Sequence, residues 1–397
     1  MTEQLKAEII AKANDSFPLL QNIRRHIHAY PELSFEEEKT SAFVQKQLDA
    51  FGISYTKGWA GYGIVATIEG NAKGKTVALR ADMDALPIQE TNTTEYASKV
   101  PNVMHACGHD VHTTCLLGAA RILNETRHQW AGTLHLIFQP GEEKIPGGAR
   151  VMLEEGLFKE DKPDAIIALH VFPMLPSGKL GFRAGLYMAS TDELYFKVVG
   201  KGGHGAMPSQ LTDPVIAAAH FIIALQQINS RLAPPGIPTV LTIGKVIAQG
   251  ATNVIPAEVL LEGTFRTMDE TWREKAHAKI ADIAKSCGDM FGVTIEPHII
   301  KGCPVLINDA AVTQKARDAA SELIGDTNVS DLEMRMTAED FAWFAQKIPA
   351  CFYRLGTASP DGRFTAGVHT STFDIDETAL KTGAASLSAI AIELLGN

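Results

Sequence analysis

A short segment, VMHACGHDVHTT at residues 103–114, holds three histidines, one cysteine and one aspartate. Thiolates, imidazoles and carboxylates are the ligands that zinc and similar divalent cations take from proteins. The Cys-x-His spacing of Cys107 and His109 lets two side chains of one tight loop reach the same ion. Because a cysteine taken alone is more often a small buried apolar residue, the hypothesis of a metal site needs support from elsewhere in the chain.

Polar residues stand where three apolar runs stop. VALRADMDALP stops at Asp82 and Asp84, LHLIFQPGEE stops at Glu142 and Glu143, and AIIALHV stops at His170. Ligands of open α/β sheets bind at the carboxyl ends of the strands, so these residues are expected around one crevice with the histidine-rich segment. Taken alone, a Glu-Glu pair is usually solvated, a strand-end histidine is usually structural, and Asp84 could cap a turn. Together they predict a site for one or two cations, because apposed carboxylates without a cation would repel each other.

The two adjacent glutamates can divide the chemistry between them. One can bind metal while its neighbour, pointing elsewhere, acts as a general base toward a water molecule. The pattern therefore favours metal-assisted hydrolysis.

Alternating strand and helix patterns around these residues predict an α/β fold. Strands are predicted at IVATIE, KTVALRAD, TLHLIFQP and DAIIALHV. Helices are predicted after Asp15–Ser16, behind a Ser34/Glu37 capping box, at TTCLLGAARILNE and at GGARVMLEEG. This order is typical of a mostly parallel, buried sheet covered by helices.

The pattern changes after about residue 184. The segments ELYFKVVG, a helix behind Asp213, TVLTIGKV, VLLEGTFRT, a helix from about Asp269, and VTIEPHII follow in the order βαββαβ of a ferredoxin-like unit. The α/β pattern resumes near residue 302. We therefore expect a catalytic domain in two parts, residues 1–183 and 301–397, with a lid or dimerisation domain inserted at residues 184–300.

Bulk composition narrows the classes of partner and the compartment. The net charge of -10 argues against binding nucleic acid by long-range attraction. The N-terminus lacks a signal-peptide pattern, and the apolar run Val215–Leu225 is far shorter than the roughly 20 residues of a membrane span. The five cysteines form no disulfide framework, so we expect a cytoplasmic protein without a membrane partner.

Over nearly its whole length the chain resembles the dinuclear metallohydrolases that include aminoacylase and glutamate carboxypeptidase. It is most similar to the branch of hippurate hydrolase, bacterial N-acyl-amino-acid amidohydrolases and plant auxin-conjugate hydrolases. The matching motifs follow in the family's order: RRHIHAYPELSFEE, LRADMDALPIQE, MHACGHDVHT, FQPGEE, LHV, GKGGHGAMP, TNVIP, GTFRT, AEDFAWF and GVHTSTFD.

The resemblance implies two divalent cations, manganese or zinc, which cobalt or nickel could replace. The ligands it implies are Cys107, His109, Glu143, His170 and His369. Glu142 would be the general base, and Asp84 would orient a ligand histidine. Most of the wider family begins its site with His-x-Asp, whereas this chain has Asp82-Met83-Asp84, so the sharing of ligands between the ions stays open.

The resemblance also implies roles for three residues of the inserted domain. His204 would polarise the scissile carbonyl, often in the site of a partner subunit, and Asn253 and Arg266 would bind substrate. A planar guanidinium suits a substrate carboxylate. A homodimer through the inserted domains is expected, with the VLLEGTFRT strand as a pairing edge.

The implied reaction is hydrolysis of the amide bond of an N-acyl amino acid, hippurate-like or N-acetylated, to a carboxylic acid and an amino acid. Three alternatives stay open: a dipeptidase or carboxypeptidase of the same family, a hydrolase with Cys107 as nucleophile and His109 or His112 as its base, and a non-catalytic metal-binding protein.

Overall fold

The computed structural model of the protein describes residues 1–359 and 361–396. Pro360 and Asn397, which the predicted second part of the catalytic domain includes, lie outside the described residues. The helices are α1 Glu3–Asp15, α2 Phe17–Ala29, α3 Glu38–Ala50, α4 His109–Glu125, α5 Gly148–Glu154, α6 Pro214–Leu225, α7 Glu270–Phe291, α8 Ala310–Ile324, α9 Ala342–Ala345 and α10 Ala379–Leu395. The strands are β1 Ser54–Trp59, β2 Gly63–Glu69, β3 Thr76–Asp82, β4 Thr133–Gln139, β5 Ala165–Pro176, β6 Leu180–Phe182, β7 Gly185–Met188, β8 Ser190–Val199, β9 Gly203–His204, β10 Thr239–Ile247, β11 Val254–Ile255, β12 Glu258–Thr267, β13 Thr294–Lys301, β14 Leu306–Asn308, β15 Val329–Asp331 and β16 Ala350–Ala358.

The chain forms two compact units. The first unit comprises Met1–Tyr187, Ile307–Met334 and the chain from Asp340 onward. The second unit comprises Met188–Leu306 and Arg335–Glu339. No helix among the described residues is long and apolar enough to cross a membrane.

An eight-stranded sheet in the order β1-β2-β4-β3-β5-β16-β6-β15 forms the centre of the first unit. The strands β4, β3, β5 and β16 run parallel, while β1 and β2 are antiparallel additions at one edge. Helices α4 and α10 pack on this sheet and on each other. Successive β3 residues, including Val77, Ala78 and Leu79, are all fully buried, because both faces of the sheet are covered. The predicted α/β fold is confirmed.

The second unit contains a four-stranded antiparallel sheet in the order β10-β12-β8-β13. Burial alternates along β8, as expected when helices cover one face only. The apolar face packs under α6 and α7, around Phe221 and Phe265. The predicted ferredoxin-like order is therefore confirmed, but the expectation that VLLEGTFRT forms an edge is wrong, because β12 pairs on both sides.

The N-terminal segment differs from the prediction in its helix starts. Helix α1 precedes the helix predicted after Ser16, and Thr2 caps it through a bond from the Leu5 N–H. The Ser34/Glu37 capping box is wrong, because both side chains are engaged in tertiary contacts. Ser34 Oγ donates to Asp84 Oδ2 at 2.6 Å, and Glu37 Oε1 accepts from the Gly141 N–H at 2.7 Å.

Candidate metal centre

The polar ends of neighbouring parallel strands lie side by side in the first unit. Asp82, the last residue of β3, is in register with Gln139, the last residue of β4. On the other side of β3, β5 carries His170 two residues beyond Ala168, which pairs with Arg80. Parallel pairing therefore brings the carboxyl ends of β3 and β4 level with His170, which lies in the middle of the longer strand β5.

Helix α4 brings the histidine-rich segment to the same edge. The Cys107 Sγ lies 3.4 Å from His170 Nε2. His109, the first residue of α4, has its Nδ1 3.1 Å from Asp84 Oδ1, and Asp84 Oδ2 accepts from the Glu143 N–H at 3.0 Å. Asp84 thus connects the histidine-rich segment with the loop that carries the glutamates.

His369 reaches this edge from a loop near the C-terminal end of the chain. Its N–H donates to the Ala106 carbonyl at 2.7 Å, and its Nε2 lies 3.2 Å from Glu143 Oε1. Its φ of 64° is in the left-handed region, which costs free energy for a residue with a Cβ atom and is concentrated at functional sites.

Potential ligand atoms group into overlapping sets whose atoms lie within 4.8 Å of one another. One set is Cys107, His109 and His170; a second is Cys107, Glu143 and His369; a third is His109, Glu142 and Glu143. The structure therefore brings together all five ligands that the sequence predicts, and places Glu142 beside two of them.

The charges of this cluster shift its pKa values. Hydrogen bonds with Cys107 and Glu143 raise the pKa of His369 to about 10. Burial disfavours the protonated ring of His109, but the charges of Asp82 and Cys107 outweigh it and hold the pKa of His109 well above its ordinary range. Both raised pKa values reflect the anionic groups around these rings, and the same groups would attract a cation.

The donor set fits a divalent cation. His109 Nε2 is buried and makes no well-directed hydrogen bond to any described residue. An unsatisfied buried polar atom costs free energy unless something binds it. Because His109 shares one set with the Cys107 sulfur and another with the Glu142 and Glu143 carboxylates, a cation bound among these groups would satisfy its ring nitrogen.

Asp82 and His112 also fall within ligand distance of His109, but they bind other groups. Asp82 accepts from Arg80 Nη1 at 2.7 Å and lies 2.6 Å from His112 Nδ1. His112 Nε2 accepts from the Val171 N–H at 2.9 Å. Through His112, Asp82 thus supports the part of β5 that carries His170.

The geometry disfavours Cys107 as a nucleophile. Burial and the Glu143 carboxylate raise the pKa of the Cys107 thiol, whereas a nucleophilic cysteine needs a lowered pKa. His112 uses both ring nitrogens for Asp82 and Val171.

Sequence reasoning missed the supports of the site: Ser34, Glu37, Arg80 and His112. Burial and the Asp84 charge raise the pKa of Glu37 to about 7. Arg80, inside the apolar run VALRAD, was the one residue that could have indicated these supports. A buried guanidinium requires anionic partners nearby.

Two residues predicted to contact substrate lie together in the second unit. His204 on β9 pairs with Val254 on β11, and the Asn253 carbonyl accepts from the Gly205 N–H at 2.8 Å. His204 Nδ1 accepts from the Ala206 N–H at 3.1 Å, so the neutral ring carries its proton on Nε2.

Arg266 lies on β12 of the same unit. It is in register with Val240 of β10 and Thr191 of β8. Its Nη1 donates to the Met336 carbonyl at 3.1 Å.

Residues 78–393 match the sequence model of the peptidase family M20/M25/M40. The chain belongs to this family. It is 40% identical over 361 residues to N-acetyl-L-cysteine deacetylase of Bacillus subtilis (strain 168), covering 91% of this chain and 84% of that relative. It is 44% identical over 285 residues to N-acyl-L-amino acid amidohydrolase of Geobacillus stearothermophilus, covering 72% of this chain and 76% of that one.

Solved structures of the M20 family agree with the fold. A Bacillus subtilis protein described as a dinuclear metal-binding peptidase superposes with a TM-score of 0.82 at 33% identity, covering 96% of this chain and 99% of that one. The family resemblance carried by the motifs is therefore confirmed.

Proposed function

We propose that this M20 protein is a metal-dependent amidohydrolase that cleaves N-acyl amino acids into a carboxylic acid and a free amino acid. One observation supports the proposal most strongly. A thiol, three imidazoles and a carboxylate form one cluster of overlapping sets, with a second carboxylate, Glu142, beside them. The names of two relatives, N-acetyl-L-cysteine deacetylase and N-acyl-L-amino acid amidohydrolase, support this substrate class.

We infer two divalent cations, zinc or manganese, held by the predicted ligands Cys107, His109, Glu143, His170 and His369. Two overlapping ligand sets that share Cys107 and the relative described as dinuclear support the number. Thiolate and imidazole ligands favour zinc, whereas carboxylates also suit manganese. Bound cations would supply Lewis acidity that activates water and polarises the scissile carbonyl.

The residues around the cations have complementary tasks. Glu142 accepts the proton of the attacking water and delivers it to the leaving amine nitrogen as the C–N bond breaks. Asp84 holds Nδ1 of His109, which directs Nε2 of that ring into the cluster.

The second unit supplies substrate contacts in this proposal. His204 donates from Nε2 to the carbonyl oxygen, because Nδ1 already accepts from Ala206. Asn253, directly before β11, would also contact the substrate, and Arg266 would bind the carboxylate of the amino-acid part.

A substrate panel with metal analysis tests the function. The metal-loaded protein should contain two cations per chain and cleave hippurate and N-acetyl amino acids at least about tenfold more efficiently than simple dipeptides. An N-acyl amino acid methyl ester should be a poor substrate, since it lacks the carboxylate. Preference for dipeptides would identify a peptidase, and metal binding without cleavage would identify a non-catalytic protein.

We further propose a homodimer formed through the second unit, in the cytoplasm. Ile216 and Ile223 of α6 are 50% and 69% exposed, and Val246 on the outer strand β10 is 55% exposed. Exposed apolar groups beside an open sheet edge favour pairing with a second copy. The five cysteines, all free and buried, support a reducing compartment. Light scattering should give a dimer mass for the protein and a monomer mass for Ile223→Asp.

A further inference from the structure

The motif AEDFAWF contains a buried carboxylate to which neither the fold nor the reaction has yet given a task. Asp340 is fully buried in the first unit, and its backbone N–H donates to Glu142 Oε1 at 3.2 Å. We propose that Asp340 is a positioning residue, whose anchored backbone holds the Glu142 carboxylate in its productive orientation. The inference rests on the proposed role of Glu142 as the general base.

Three donors fix the Asp340 side chain. Arg80 Nη2 donates to Oδ1 at 2.7 Å, and Gln139 Nε2 donates to Oδ2 at 2.7 Å. The Ala149 N–H adds a third bond, to Oδ2 at 3.0 Å. Because both oxygens are engaged, the side chain and therefore the adjoining N–H have little freedom to turn.

The loop of Glu142 is fixed from other directions as well. Gly141, the preceding residue, has a φ of 62°, and its N–H donates to Glu37 Oε1 at 2.7 Å. The Gly141 carbonyl accepts from the Gly148 N–H at 2.8 Å. With its backbone held in this way, the side chain of Glu142 is the part that the Asp340 N–H orients.

Arg80 ties this support to the rest of the site. It is buried and binds Asp82 through Nη1, Asp340 through Nη2 and Gln139 through Nε at 2.7, 2.7 and 2.8 Å. One guanidinium thus fixes the end of β3 and the donor to Glu142. Misplacing a catalytic group by about 1 Å can cost about 10²-fold in rate, so this support matters for turnover.

Asp340→Asn is the principal test. The amide keeps the size of the side chain but replaces one acceptor by a donor, so it cannot satisfy Arg80, Gln139 and Ala149 together. We expect kcat to fall at least about tenfold with KM changed less than about threefold and with unchanged metal content, as for an interaction made in the transition state. Asp340→Ala should show a larger fall.

Two further readouts separate positioning from a general structural effect. In the Glu142→Gln background, Asp340→Asn should lower kcat no further, because the two residues act as one unit. Asp309→Ala, which removes the cap of α8 in the same unit, should lower stability without lowering kcat.

Crystal structures of the metal-loaded variants give a readout independent of activity. The Glu142 carboxylate should leave its place beside the residue-340 N–H, while Cys107, His109 and His170 stay in place. Wild-type kcat in Asp340→Asn, or an unmoved Glu142, would overturn the inference. If Asp340→Ala does not fold, the kcat and the crystal structure of Asp340→Asn alone test the inference. If the unmodified protein cleaves no N-acyl amino acid, the proposed function fails, and the position of Glu142 still decides the positioning.

Discussion

The two sheets of the molecule differ in where they tolerate polar side chains. In the first unit the central strands are buried on both faces, and polar groups follow their apolar runs: Asp82 ends β3, and His170 follows the run AIIAL within β5. In the second unit β8 alternates buried and accessible residues, so polar groups occur along its length. A polar residue at a strand end is therefore informative in the first sheet and ordinary in the second.

This difference explains why four of the five candidate metal ligands stood out in the sequence, whereas the residues proposed to bind substrate did not. His204 and Asn253 lie on a short ribbon, and Arg266 lies in a strand with many accessible positions. In the sequence, the proposed substrate-binding residues of the second unit therefore look like the ordinary polar residues of its solvent-facing surface. Four experiments test this contrast, beginning with the largest expected effect.

Substituting Glu142 by alanine should lower kcat by about 10³–10⁴-fold, because the reaction would lose its proposed general base. Metal content, measured by mass spectrometry, should remain at the wild-type value. Glu143→Ala is the matched control at the next position and should lose metal, since Glu143 is a proposed ligand. If Glu142→Ala loses metal instead, Glu142 is the metal ligand and Glu143 becomes the candidate general base.

Asparagine substitutions at neighbouring strand positions compare the two sheets directly. Ala78→Asn and Leu79→Asn in β3 should each cost about 3–5 kcal/mol, because both positions are fully buried and offer the amide no partner. In β8, Phe196→Asn should cost as much, and Lys197→Asn far less, since Lys197 is exposed and its ion pair with Glu258 lies at the surface. Urea unfolding measures the loss of stability in all four variants. Equal losses at positions 196 and 197 would contradict the proposed difference between the two sheets.

Glu37 should make the metal-free protein less stable as the pH rises. Burial and Asp84 raise the pKa of Glu37 to about 7 from the 4.5 of a free side chain. Below pH 4.5 the Glu37 carboxyl is protonated in both the folded and the unfolded chain. Between pH 4.5 and 7 it is protonated only in the folded chain, so the free energy of unfolding falls as the pH rises. The total fall is up to about 3 kcal/mol and ends when the folded carboxyl ionises.

Urea unfolding from pH 4 to 8.5 should therefore show that Glu37→Gln removes this decline. Glu36→Gln, at the exposed neighbouring position, is the control and should keep it. Parallel curves for Glu37→Gln and the unmodified protein would show that Glu37 does not cause the decline.

His204→Ala should have the smallest effect of the four, a fall in kcat of about 10²-fold, since it removes one proposed donor to the developing oxyanion. Metal content should not change. His298→Ala, at an exposed position of β13, is the control within the same unit. A fall of less than twofold for His204→Ala would remove His204 from the reaction.

The sequence predicted the elements that carry long apolar patterns and the residues at their ends. It predicted the βαββαβ order, because period-two strands and capped helices are local signals. It predicted that Ser34 and Glu37 cap a helix, whereas their side chains hydrogen-bond to Asp84 and Gly141. Those partners are about 50 and 100 residues away along the chain, so no local pattern indicates the contacts. His369 carried no local signal at all: its place depends on a left-handed backbone and on a bond to Ala106.

The position of His369 along the chain has a consequence for biosynthesis. Four of the five candidate ligands are translated before the second unit, and His369 follows it, as does α10, which is almost wholly buried against α4. A ribosome therefore exposes a complete ferredoxin-like unit while the first unit still lacks both its final ligand and its last core helix. On this order of events the nascent chain should acquire its full complement of cations only after translation has passed α10, and ribosome-bound chains arrested before His369 should release metal to a chelator far faster than the finished protein.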